Sequence, residues 1–313
     1  MWTALILASA VVAGTAAYVA WGLYAVAHGA ALWPFVVGIP FAFLAVPLLL
    51  TIFWFTVAWW FRAERPANIR LSLRERAAMF GRELWALARS IPRMIFFHWL
   101  MPAASRAPAA LPIVLLHGVG CNAGVWSGFR RHLDGRNIHP VYALSYAPPL
   151  SSIELFADQL AGLIATIEAE TGARQVMLIG HSMGGLVARA YLRRHGAAKV
   201  RRLVTVGTPH HGSMHAWLMF GQSLSQLRPG NPWLTQLNRD TEVPRDANGG
   251  ASKTVSIWSW HDSMVAPQTS SRIDWGENIV LTGIAHNALL DHPEVWANVV
   301  AQIDAAATSE FPA

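Results

Sequence analysis

The sequence predicts an α/β protein: a mostly parallel sheet with helices on both faces, preceded by two transmembrane helices. Three observations carry that prediction. Residues 1–61 contain no Asp, Glu, Lys or Arg. From residue 111 onward, short apolar runs with strand character alternate with longer helical patterns, which argues for parallel strands joined by covering helices. One of those runs, within Gln175–Gly185 (QVMLIGHSMGG), breaks into a glycine-bounded polar turn and then a helix. A chain of 313 residues can hold one domain of this kind plus something smaller.

Composition locates the smaller part. Hydrophobic residues make up 53% and charged residues 13%, an excess of apolar character for a water-soluble enzyme. It is concentrated in two tracts, about Ala4–Ala27 and Phe35–Phe61, each long enough to cross a hydrocarbon core of ~30 Å at ~1.5 Å per residue. His28-Gly29 and Trp33-Pro34 lie between them, so the pair reads as a helical hairpin, with His28 at the interface. Pro40 and Pro47 are tolerated in a membrane span, and Trp54, Trp59 and Trp60 crowd its far end like an interfacial belt. A cleaved signal peptide would need a basic leader, and none precedes the first tract.

The charge is just as local. Residues 62–107 hold nine arginines and three glutamates, so this segment carries the whole net charge of +6 and residues 108–313 sum to zero. That distribution marks a segment beside a membrane and gives no argument for nucleic acid. Arg62, Arg65, Arg70, Arg74 and Arg76 follow the second tract while the inter-tract loop has no basic residue. The positive-inside rule then places the C-terminal domain on the cytoplasmic side, the expected membrane being the bacterial inner one. Ser72 and Glu75 fit a capping box, and Leu73, Ala77, Phe80, Leu84, Leu87 and Ile91 recur at helical steps, with Arg74, Arg82 and Arg89 elsewhere on the helix. Two placements remain open for this basic amphipathic helix: in the interface with its arginines toward headgroups, or packed on the following domain. Pro92 is expected to end it. The predicted organisation is 1–61 hairpin, 62–107 juxtamembrane segment, 108–313 main domain.

Ser182 occupies the turn that closes the Gln175–Ile179 strand. A serine hydroxyl is a weak nucleophile, so a hydrolase must hold it clear of the backbone, near a base and beside helix N-terminal amides that can meet an oxyanion. Gly180 and Gly184 flank it where a Cβ would crowd the corner, completing G-x-S-x-G. Over about Leu111–Val300 the chain resembles the α/β-hydrolase superfamily, within it the bacterial lipases and esterases. The resemblance implies a Ser, Asp, His order, met here by Ser182, Asp262 and His286, each just after a strand. Asp274 competes with Asp262 but precedes a strand; His261 and His292 compete with His286 but adjoin the acid and a helix start, respectively. It also implies that the His117-Gly118 turn gives one oxyanion amide, Val119, and the residue after the nucleophile the other, Met183. His117 then braces the loop.

Cys121 reads as a small buried hydrophobe, and His210 and His211 as pocket rim because no metal-like spacing surrounds them. Residues 214–250 interrupt the alternation with apolar side chains, among them Trp217, Phe220 and Leu224, as a lid over an acyl pocket requires. No cofactor is expected. Acidic residues do not closely follow His286 as they do in calcium-binding secreted lipases, so no calcium site is expected either. The expected activity is hydrolysis of carboxylic esters of lipids through an acyl-enzyme, with the bilayer as partner and oligomeric state open. A tethered esterase or thioesterase for soluble substrates, or a silent scaffold on a hydrolase fold, are the alternatives.

Overall fold

The computed structural model describes residues 2–104, 108–241 and 253–308. Two apolar helices come first, α1 (Trp2–Ala27) and α2 (Trp33–Trp60), then α3 (Leu73–Ile95) and the single turn α4 (Phe97–Leu100). The main domain follows as β1 (Ile113–Leu116), α5 (Ser127–Asp134), β2 (Val141–Leu144), α6 (Ile153–Thr171), β3 (Val176–His181), α7 (Met183–His195) and β4 (Val200–Val206). It continues with α8 (Gln222–Gln226), α9 (Pro232–Thr241), β5 (Lys253–Ser259), β6 (Glu277–Leu281) and α10 (Pro293–Thr308).

All strand pairings are parallel, in the order β2-β1-β3-β4-β5-β6. The central strands β1 and β3 read as apolar runs because helices cover both faces. Ile113 and Leu115 face a core with Trp126, Phe129 and Val299. Val114 and Leu116 face a second core with Phe156, Leu160 and Leu186. From β2 the chain crosses back over β1 to form β3, so the direction of winding reverses between β1 and β3. The loops there part at the strands' carboxyl ends, which is where such sheets open a crevice.

By length and composition α1 and α2 can each cross a membrane, and most of their large side chains are exposed. They pack on each other: the Tyr18 hydroxyl donates to the Phe35 carbonyl at 2.9 Å. Both outer ends meet the main domain. Thr3 donates to the Cys121 carbonyl, and Trp54, Val57 and Ala58 near the end of α2 are buried.

Helix α3 lies between this hairpin and the domain, which decides between its two placements. The capping box forms as expected, Ser72 and Glu75 each bonding the other's backbone. The buried residues, however, are Met79, Glu83, Ala86 and Met94, while Leu73 is 83% exposed and Leu84, Leu87 and Ile91 are only half-buried. Apolar periodicity misplaced the inner face because one inward residue is a carboxylate. Arg89 and Arg93 do not reach for headgroups; they pair with Asp291 at 3.2 and 2.7 Å, and Arg82 donates to the Gly283 carbonyl. Pro92 does not end the helix, which runs on to Ile95, the Phe96 amide bonding the Pro92 carbonyl. A proline removes a donor but leaves its carbonyl free to accept.

Within the expected lid, residues 242–250 lie outside the described residues. The rest divides in two. Leu224, Leu227, Leu234 and Leu237 are buried in the second core. Trp217, Leu218 and Phe220 are exposed, Phe220 at 89%.

Candidate active site

The corner between β3 and α7 is built by close backbone approaches. A Cβ on Gly184 would stand 2.2 Å from the Leu116 carbonyl oxygen, and one on Gly180 2.5 Å from the Gly185 amide nitrogen. Ser182 takes φ 55°, a conformation that costs a residue with a side chain of order 1–3 kcal/mol and marks functional turns. It is held by its amide, which donates to the Val206 carbonyl at 2.9 Å. Although Ser182 stands at the N-cap of α7, its hydroxyl makes no capping bond, so the oxygen is left for other chemistry beside amides that have no intrahelical partner.

The turn after β1 closes on this corner. A Cβ on Gly118 would lie 3.0 Å from Ser182 Cβ, so glycine lets the His117–Val119 backbone approach the hydroxyl. His117 braces the turn: Nδ1 donates to the Gly118 carbonyl at 2.8 Å and Nε2 accepts from the Tyr146 amide at 3.4 Å. Burial pushes its pKa down to about 4, keeping the ring neutral in that double role.

Asp262 follows β5 and His286 follows β6, and the two meet, His286 Nδ1 donating to Asp262 Oδ2 at 2.8 Å. The other Asp262 oxygen accepts the amides of Met264 and Val265 at 2.8 and 2.7 Å. Burial by itself would lower the His286 pKa, but the charge and hydrogen bond of Asp262, with the Glu83 charge behind them, hold it above the ordinary value. The His181 ring lies 4.6 Å from that of His286, and its Nε2 donates to the His286 carbonyl at 3.2 Å. Burial first, and then the neighbouring His286, drive His181 far down, so it stays neutral. Gly207, next to the residue that holds the Ser182 amide, backs the pair: a Cβ there would be 3.2 Å from Asp262 Oδ2 and 3.3 Å from His286 Nδ1. Ser182 thus follows β3 while Asp262 and His286 follow β5 and β6 of the same parallel sheet, with Gly207 after the intervening β4 against the pair.

The competing residues are placed elsewhere. Asp274 is exposed and pairs with Arg272 at 3.2 Å. His261 Nδ1 accepts the Gly283 amide, and His292 immediately precedes α10. Burial pushes the Cys121 thiol up to about 12. His210 sits between the guanidinium of buried Arg189 at 3.2 Å and the Thr205 hydroxyl at 3.1 Å, an arrangement that props the 207–213 loop; His211 Nδ1 meets the Asn238 side-chain amide at 3.3 Å.

One site residue escaped the sequence reading. Glu83 of α3 is 1% exposed and accepts four hydrogen bonds, from the Ser263 hydroxyl, the Asn287 amide and side chain, and the Ala288 amide, at 2.8 to 3.1 Å. These donors directly follow Asp262 and His286. Ser263 Oγ in turn accepts the His286 amide at 3.3 Å. A second tie starts in the segment before α3: the Ala63 amide donates to Gln268, whose side chain donates to the Asp262 carbonyl. The only local hint was a glutamate on the apolar side of an amphipathic helix.

Comparison with known proteins agrees with this architecture. Residues 112–248 match the family described as alpha/beta hydrolase fold. A triacylglycerol lipase of Pseudarthrobacter phenanthrenivorans is 31% identical over 126 residues, covering 36% of this chain and 38% of that one. A triacylglycerol lipase of Burkholderia plantarii is 31% identical over 126 residues, covering 36% and 34%. The match thus spans little more than a third of these curated relatives. The crystal structure of a mature Bacillus licheniformis lipase superposes with a TM-score of 0.54 at 20% identity, covering 64% of this chain and 95% of that one. The protein has the α/β-hydrolase fold and resembles the bacterial lipases and esterases.

Proposed function

We propose that this chain is a membrane-anchored serine hydrolase that cleaves carboxylic esters of lipids through an acyl-enzyme. The observation that carries the reading is a strained Ser182 corner whose adjoining residue, His181, lies ring to ring at 4.6 Å from the His286 of the buried Asp262–His286 pair. His286, its Nδ1 committed to Asp262, presents Nε2 as the base. It takes the Ser182 proton as Oγ attacks the ester carbonyl, and returns it to the leaving alcohol as the tetrahedral intermediate collapses; water then repeats the cycle on the acyl-serine. The amides of Val119 and Met183 are the oxyanion donors in this reading. Glu83 acts as a positioning residue that ties the acid and base loops to α3.

A lipid substrate is favoured by where the site sits. α1 and α2 serve as the anchor, and the arginines after α2 place the domain on the cytoplasmic side of a bacterial inner membrane. His215 Nε2 donates to the Trp54 carbonyl at 3.1 Å, which ties the Met214–Leu218 turn to α2. The exposed Trp217, Leu218 and Phe220 therefore lie beside an apolar helix, where lipid can cover them. The triacylglycerol lipases matched above support the ester class.

Labelling by a serine-reactive fluorophosphonate tests the chemistry. Wild type is expected to label, and Ser182→Ala to lose both labelling and ester hydrolysis by ~10⁴-fold or more while staying folded; retained labelling would show a different nucleophile.

A further inference from the structure

Four arginines cluster near the end of α2. Arg89, Arg93, Arg130, Arg193 and Arg194 all pair with carboxylates, whereas among the described residues Arg62, Arg65, Arg70 and Arg76 pair with none. They line a recess of about 690 Å³ bounded by α2, the 62–72 segment and α3. A neighbouring recess of about 700 Å³ shares all four, with Glu64 on its wall. Two are held in place by backbone carbonyls: Arg62 donates to Trp59 and its guanidinium stacks 5.0 Å above that ring, while Arg76 donates to Leu71 at 3.0 Å. Arg65 Nε is shut off from solvent and has no hydrogen-bond partner, an arrangement native structures avoid unless an acceptor arrives. Glu75 is spent on the Ser72 cap. The positive field reaches the recess wall, where His261 is held at about 4 by burial and then by the Arg65 and Arg76 charges.

Apart from His261, Asp262 and Thr56, the remaining wall is apolar, with Phe55, Ala58, Ala77, Met79 and Phe80. One cavity therefore joins a cationic end to an apolar one, and its cationic end begins two residues past Trp60, where an apolar span reaches headgroup depth. A zwitterionic headgroup would bring a cation of its own into the arginine cluster; a net-negative one would not.

We propose that this recess is a binding site for one anionic phospholipid, its phosphate held by Arg62, Arg65, Arg70 and Arg76 and an acyl chain laid along the apolar wall. Asp262 lines the recess, but Ser182 and His286 do not. The occupant is thus a resident lipid that touches the acid from outside the cleft, and not the ester being cleaved. The proposal rests on the membrane-anchor reading of residues 1–61 and is independent of the hydrolytic chemistry.

The test uses full-length Ser182→Ala protein in nanodiscs of phosphatidylcholine with or without phosphatidylglycerol, reading retained lipid by native mass spectrometry after detergent release. One phosphatidylglycerol is expected to stay bound in preference to phosphatidylcholine, undiminished by inorganic phosphate. In Arg65→Gln/Arg76→Gln its retention should fall ~tenfold or more, while Arg74→Gln, outside the recess, keeps it. Ala77→Phe fills the apolar end without changing charge and should also release the lipid, so the proposal remains testable if the double variant misfolds. Unchanged selectivity in Arg65→Gln/Arg76→Gln or in Ala77→Phe, or displacement by inorganic phosphate, overturns the proposal. Extraction of wild type by alkaline carbonate would instead overturn the anchor reading; a protein that stays in the membrane yet retains no phosphatidylglycerol refutes the lipid site alone.

Discussion

The Ser182 corner and the Asp262–His286 pair, the two halves of the proposed site, are built by different means. The corner's residues are contiguous: Gly180, Ser182, Gly184 and Gly185 sit at the junction of β3 and α7, and Gly180 and Gly184 stand where a Cβ would strike the corner's own backbone or that of Leu116. The pair is assembled at long range. Its loops follow β5 and β6, and the carboxylate that ties them together, Glu83, comes from a helix some 180 to 205 residues earlier in the chain. The Ser182 corner is therefore held within the domain, whereas the Asp262–His286 pair is linked to α3, the helix that follows the α1–α2 hairpin.

The largest effect that probes this contrast, beyond loss of the nucleophile, is expected from Asp262→Asn. It should cut kcat by ~10³–10⁴-fold with the fold retained, because the amide stabilises the wrong imidazole tautomer. Asp274→Asn should be silent, and a larger loss there than at Asp262 would reassign the acid.

Next is Glu83→Gln, which keeps the shape but trades an acceptor-only carboxylate for an amide that cannot accept all four donors. A fall in kcat of ~10–100-fold is expected, with KM for a short soluble ester unchanged. The pH profile separates positioning from mere stability. His286 must be neutral to act as base, so wild-type activity rises with pH through a limb above the ordinary histidine value. The Glu83 charge contributes to raising that pKa; its removal should move the limb to lower pH. A limb that does not move would confine Glu83 to a structural role.

The smallest effect is expected at the exposed apolar surface of Trp217 and Phe220. Trp217→Ser with Phe220→Ser should lower activity on long-chain esters in bilayers relative to a short soluble ester by ~tenfold, leaving the latter intact, since neither side chain touches the Asp262–His286 pair or the elbow. An unchanged ratio would favour a tethered hydrolase of soluble esters.

Local pattern was enough for a large part of this protein. The β3 strand was legible in the apolar run Gln175–Ile179, Ser72–Glu75 as a cap, and α1 and α2 as two uncharged tracts, because strand burial, capping and apolar helix length depend on residues adjacent in the chain. The motif G-H-S-M-G was legible for the same reason. Side-chain meetings across the sheet were not. Leu224 and Phe220 are both apolar members of one insertion, yet one is core and the other exposed; only the packing of α8 on the domain separates them. Arg89 and Arg65 are both arginines of one basic segment, yet Asp291 neutralises the first while the second faces a recess. Glu83 carries the strongest lesson. Hydropathy scored it as a surface residue, and only the tertiary fold, by bringing four donors to an otherwise prohibitive buried charge, made it part of the site.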